Sequence, residues 1–186
     1  MNVRDAIQQR RSIKRFTDRP VTREEIEGLL SLAVLAPNHR LTQPWRFYVL
    51  GPVARLAYGV ALGKRKAKKL EDPAKGRALA DAVAQEHRDL PAMIAVAIVR
   101  NENPEIAEED YAAAMMAIDN FALAAVEQGL GTSIKTGAVM GDAEARTAVG
   151  AKEDERIIAV MHLGEPAELP PAKLRTEART FTRWVS

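Results

Sequence analysis

The chain has 186 residues, and 47% of them are hydrophobic, enough for the core of a single domain and too many for general disorder. Lys and Arg number 27 against 25 Asp and Glu, a net +2 that excludes a strongly basic surface and argues against a nucleic-acid binder. Cysteine is absent, which rules out disulfides, a thiolate nucleophile, Cys-ligated zinc and chain-held iron–sulfur clusters.

The N-terminus, MNVRDAIQQRR, carries no apolar stretch of signal-peptide type, so a cytoplasmic protein is expected. Residues 3–10 suit a short helix with Val3, Ala6 and Ile7 on one side. Thr22-Arg23-Glu24-Glu25 has capping-box spacing, and Ile26, Leu29, Leu30, Ala33 and Val34 follow at helical period, up to a stop at Pro37. A polar loop runs between Pro37 and Pro44 into a strand over 46–50, closed by Gly51-Pro52. Helices are expected over 53–62 and 75–89, with a charged stretch between them. The continuous apolar run 92–99 reads as a central strand, and 101–104 as a turn-rich loop.

From 108 to 128 a long helix rich in Ala and Met is apolar nearly all round, with Gly129 as its C-terminal cap. Such a helix is expected to be buried centrally or between subunits. Its apolar run Tyr111–Ile118 is far shorter than the roughly 20 residues that span a bilayer. An extended piece near 132–136 precedes a small helix from Asp142 to Gly150. A buried strand over 157–163 ends at Gly164-Glu165-Pro166, and the tail beyond Pro170 is irregular. The layout is α+β, one domain over 1–186.

Several chemistries fail on spacing. No G-x-G-x-x-G follows a strand, and Gly59 to Gly63-Lys64-Arg65 is one residue short of a phosphate loop and lacks its Ser or Thr. No G-x-S-x-G surrounds a serine. His39, His87 and His162 lack metal-ligand spacing, so no metal site is expected. The run Lys64-Arg65-Lys66-Ala67-Lys68-Lys69 has no interleaved aromatics and reads as a solvated face rather than a nucleic-acid contact.

Three segments remain. Arg10-Arg11-Ser12-Ile13-Lys14-Arg15-Phe16 gathers cations and a hydroxyl suited to phosphate, or else forms a plain basic terminus. Ala36-Pro37-Asn38-His39-Arg40-Leu41-Thr42-Gln43-Pro44-Trp45-Arg46-Phe47-Tyr48-Val49 presents polar groups on a loop held by prolines, with Trp45 read as a core plug. Glu127-Gln128-Gly129-Leu130-Gly131-Thr132-Ser133-Ile134-Lys135-Thr136-Gly137 allows close backbone approach to a ligand, or is an ordinary helix–strand junction.

Together these segments resemble the nitroreductase-like family of FMN-dependent oxidoreductases. The resemblance rests on Arg10, Arg11, Ser12 and Phe16; on Ala36, Pro37, Gln43, Pro44, Trp45, Phe47 and Val49; on Gly129, Leu130 and Gly131; and on Gly164 and Pro166. Length and Pro37-Asn38-His39 are similar to a compact bacterial subgroup of NAD(P)H nitroreductases.

The resemblance implies an α/β sandwich with a mostly antiparallel central sheet flanked by helices. It implies an intertwined homodimer with tightly bound FMN at the subunit interface and NAD(P)H as transient electron donor. Arg10, Arg11 and Ser12 would hold the FMN phosphate and ribityl chain. Lys14, or its rival Arg15, would face the flavin ring. Ile134, Lys135 and Thr136 would line the ring, and Leu35 and His39 would reach the FMN of the other subunit. Arg183, or else Arg179, would add a phosphate contact. Leu41 stands where many members carry Asn, so that hydrogen bond is lost or moved to Asn38, and apolar Leu35 replaces a cation of some relatives.

The implied reaction is a ping-pong transfer from NAD(P)H to a small-molecule acceptor such as a nitroaromatic or quinone. It needs no catalytic side chain beyond the flavin. The alternatives are an enone reductase or dehalogenase of the same fold, or a non-catalytic FMN-binding protein.

Overall fold

A computed structural model describes all 186 residues. The chain forms α1 (Val3–Gln9), α2 (Arg23–Ala33), β1 (Trp45–Val49), α3 (Pro52–Ala67), α4 (Pro73–Arg88), β2 (Ala92–Val99), α5 (Pro104–Glu127), β3 (Gly131–Lys135), α6 (Ala143–Val149) and β4 (Glu155–Gly164). Three short 3-10 turns lie at His39–Leu41, Ala138–Gly141 and Ala178–Thr180.

Local chemistry accounts for the helix starts. Asn2, Asp72, Asn103 and Asp142 each accept a backbone N–H of the first turn they precede. Thr22 and Glu25 form the expected capping box. Pro52, Pro73 and Pro104 each stand in a first helical turn, where a missing N–H costs nothing. This corrects the boundary of the long helix. Pro104 opens α5 four residues earlier than the periodicity suggests, because it acts as a starter and not as part of a loop. In the other direction, α2 stops at Ala33 and the chain turns through Val34, Leu35 and Ala36 before reaching Pro37.

The four strands are all antiparallel in the order β1-β2-β4-β3. Central β2 is buried along nearly its whole length because it is covered on both faces. Its alternation splits the core in two. Ile94, Val96 and Ile98 pack with Ala159, Met161 and Leu163 of β4 under α2 and α5. Met93, Ala95 and Ala97 pack with Ile157 and Val160 under α3 and α6. A bulge between Val96 and Ala97, which pair with Ala159 and Ile157, moves Ile157 to the second face. The molecule is thus a helix–sheet–helix sandwich, as the resemblance implies.

α3 and α4 form a close hairpin. A Cβ on Gly63 would lie 2.6 Å from the Ala80 carbonyl oxygen, and one on Gly59 2.8 Å from Ala84 Cα. Gly63 therefore permits helix contact instead of ending the helix, and α3 runs on to Ala67, five residues past the expected end. Lys64, Arg65 and Lys66 fall in its last turn, where cations oppose the negative helix end. No helix is long and apolar enough to cross a membrane.

Candidate active site

The site grows from the C-terminal end of α5. The chain turns at Gly129 (φ +73°) and enters β3, an edge strand of the sheet. The segment after α1 crosses this strand: Ser12 bridges Thr132 in parallel, and the Ile13 N–H donates to the Thr132 carbonyl at 2.9 Å. Contact is close only because residue 131 is Gly, where a Cβ would meet Ile13 Cγ1 at 2.3 Å. The next residues are pinned as well, by the Ala167 N–H on the Arg15 carbonyl and the Thr17 N–H on the Glu165 carbonyl, at 3.0 and 2.9 Å. Arg10, Arg11, Ser12 and Lys14 are thereby brought beside the start of β3.

The other half follows from strand geometry. A residue in an antiparallel strand sends its N–H and C=O to the same side. Because Thr132 gives its carbonyl to Ile13, both Thr132 and Ile134 direct backbone groups away from β4. Lys135 and Thr136 continue the exposed rim.

The donors on this rim lack acceptors. Arg10, Lys14 and Lys135 enter no ion pair, and Arg11 donates only to the Gln8 and Arg10 carbonyls. Arg15 differs, being held by Glu168 at 3.7 Å. The buried Thr132 hydroxyl, next to Ser12, has no hydrogen-bond partner. A phosphate-bearing ligand with a hydroxylated chain supplies what these donors and this orphan hydroxyl lack. The residue set therefore fits FMN.

Below β3 lies a buried histidine pair. His162 faces Ser133 across the strands, and its ring meets His87 edge-on at 5.3 Å. His87 Nδ1 donates to the Val83 carbonyl at 2.8 Å. Burial pushes the His162 imidazole down to about 3, helped by the charges of His87, Lys135 and Lys66. Burial also lowers His87, against the pull of the Val83 carbonyl. Both rings are neutral at pH 7.

His39 and Leu35 lie elsewhere. His39 Nδ1 is 2.9 Å from Glu109 Oε1, and Arg40 Nε is 3.2 Å from Oε2 of the same carboxylate. These contacts hold Glu109 below the usual carboxylate range, His39 contributing most. Asn38 is spent inside its loop, where Oδ1 accepts the Gln43 N–H at 2.6 Å and Nδ2 donates to Thr42 at 3.0 Å. It is therefore not free to replace the missing Asn at Leu41. The Thr42 hydroxyl also donates to buried Asp110. Trp45 is a core residue, 8% exposed. Arg40, Leu41 and Gln43 all have positive φ, so hydrogen bonds hold this loop in a costly shape.

His39 and the Arg10–Ser12 segment stand at opposite ends of α5. Glu109 anchors His39, whereas Glu127 receives the N-terminal ammonium ahead of α1. The eighteen helical steps from one to the other rise about 27 Å. One chain does not unite His39 with Arg10 and Ser12. Arg183 is also apart: it donates only to the Thr180 and Thr182 carbonyls of an exposed tail. Glu109 and Asp110 escape a sequence reading because their partners, His39 and Thr42, lie far away in the chain.

Comparisons with known proteins agree with this architecture. The model of the Nitroreductase family matches residues 7–165. YfhC of Bacillus subtilis (strain 168), which carries the provisional name NAD(P)H nitroreductase, is 34% identical over 180 residues, 95% of this chain and 91% of its own. A nitroreductase-like family protein from Bacillus cereus superposes with a TM-score of 0.87 at 25% identity, over 100% of this chain and 96% of that one. NfnB of sphigopyxis sp. strain HMH, described as an FMN and NADPH-dependent nitroreductase, shares the fold at a TM-score of 0.76 and 19% identity, with 100% of both chains covered. With its sandwich fold, its motifs in order and a family match over most of its length, the chain belongs to the nitroreductase family.

Proposed function

We propose that this protein is an FMN-dependent NAD(P)H oxidoreductase that works as a homodimer. The observation that carries the reading is the rim of carboxylate-free cations, Arg10, Lys14 and Lys135, beside the orphan hydroxyl of Thr132. When bound, FMN supplies hydride chemistry, taking electrons from NAD(P)H and passing them to a nitroaromatic, quinone or similar acceptor.

The chain's own residues bind and tune. Arg10, Arg11 and Ser12 hold the phosphate and ribityl chain by charge-assisted hydrogen bonds. Lys14 places a cation against the ring, where it favours added negative charge. Ile134 offers outward backbone groups, with Lys135 and Thr136 beside it. Leu35 and His39 serve the site of the second subunit; about 27 Å of α5 keeps His39 from its own. The Glu109 carboxylate orients His39 and leaves Nε2 free. Arg183 reaches the phosphate from the tail of the same or the partner subunit.

The test is the visible spectrum of the purified protein, before and after anaerobic NADPH or NADH. A flavin spectrum bleached by either nucleotide is expected. Arg10→Gln is expected to weaken FMN binding about tenfold or more, the loss of one charge-assisted hydrogen bond. A colourless protein that takes up no added FMN overturns the reading.

A further inference from the structure

A cavity of about 530 Å³ opens beyond the end of β3 and is bordered by Thr136 and Gly137. Three arginines line it: Arg100 after β2, Arg146 of α6 and Arg156 of β4. None of the three enters an ion pair. The nearby Glu155 carboxylate is buried and engaged elsewhere, accepting from the Tyr48 hydroxyl and the Lys152 N–H.

The guanidinium groups are held in place by neutral contacts. Arg146 donates to the Glu155 and Lys152 carbonyls at 3.0 and 2.6 Å. Arg100 Nε donates to the Glu155 carbonyl at 3.2 Å, so both arginines converge on one atom. Arg156 lies 5.3 Å above the Tyr111 ring centroid. A guanidinium has five N–H donors, so each arginine keeps unused donors for a ligand. Three like charges around one cavity repel each other until an anion enters, and their fixed positions reduce the ordering cost of binding it.

We propose that this cavity binds a phosphate monoester through Arg100, Arg146 and Arg156. With the FMN phosphate assigned to Arg10, Arg11 and Ser12, two sources of that group remain for this cavity: the 2′-phosphate of NADPH, or a phosphorylated second substrate. The link to turnover rests on the flavin reading above, whereas the anion site stands on the arginines alone.

The test uses the protein as purified, with inorganic phosphate and 2′,5′-ADP as calorimetric probes. Arg156→Gln and Arg100→Gln are the variants, since Arg146 also clamps the turn before β4; thermal melts verify that each is folded. Each variant is expected to bind inorganic phosphate about tenfold more weakly than the wild type. A matching rise in KM for NADPH, with KM for NADH unchanged, identifies the 2′-phosphate as the source. Weakened phosphate binding with both KM values unchanged excludes the 2′-phosphate and leaves a phosphorylated second substrate as the source. Wild-type protein that binds neither probe, or folded variants that bind both as well as wild type, overturns the proposal. Arginine-dependent phosphate binding by a protein that takes up no FMN retains the anion site and removes the flavin reading.

Discussion

His162 shows how a single residue couples site to stability. Its Nε2 is buried without a partner, and burial holds the ring neutral down to about pH 3. In the unfolded chain a histidine takes its proton near pH 6.5. Between those values the unfolded state binds the extra proton. The contribution is fully present above about pH 6.5 and is lost as pH falls toward about 3, at about 1.4 kcal/mol per pH unit. His162→Gln is therefore expected to flatten the dependence of denaturant-derived stability on pH between about 6 and 4.5 by close to one proton. A variant with the wild-type slope would show that the ring gains its proton without unfolding. Composition alone gave His162 no role, because its neighbours His87 and Ser133 come from distant parts of the chain.

At the scale of elements, the α3–α4 hairpin depends on two glycines. Gly63 admits the Ala80 backbone so closely that a Cβ would sit 2.6 Å from its oxygen. Backbone cannot swing aside as a side chain does. Gly63→Ala is expected to destabilise the protein by about 1–3 kcal/mol, the usual cost of overpacking, despite its gain in helix propensity. Equilibrium denaturation measures this, and a stabilised variant would mean that the helices separate freely. Elements with strong local signals were legible in the sequence: the Thr22 capping box, the β2 run and the Gly129 turn all stand where they were expected. Boundaries at Pro104 and Gly63 were not, since Pro starts or stops a helix, and Gly breaks or packs one, according to what lies beside it in space.

At the scale of the whole molecule, one chain leaves apolar surface uncovered. In the tail Leu174 is 99% exposed, Trp184 96%, Val185 93% and Phe181 74%. Leu35 is exposed too, as is Ile7 on α1. Burying a large aromatic side chain contributes about 1.5–3 kcal/mol, so such a tail is more stable against a second surface than in water. Deleting residues 171–186 is expected to weaken self-association and flavin retention together, by tenfold or more. Sedimentation velocity and the absorption spectrum report the two effects. Full-length protein that sediments as a monomer with its flavin intact would refute the two-chain site.

The sequence by itself determined the α+β class, the strand and helix order and the family resemblance. Those properties reside in periodicity, capping residues and short motifs, which act over a few positions. Only the tertiary structure decided that His39 leans on Glu109, that Thr132 is left without a partner and that Arg100, Arg146 and Arg156 share one cavity. Each depends on residues brought together by the sheet across many positions of chain. No local energetic preference encodes such a meeting, which exists only once the core has closed.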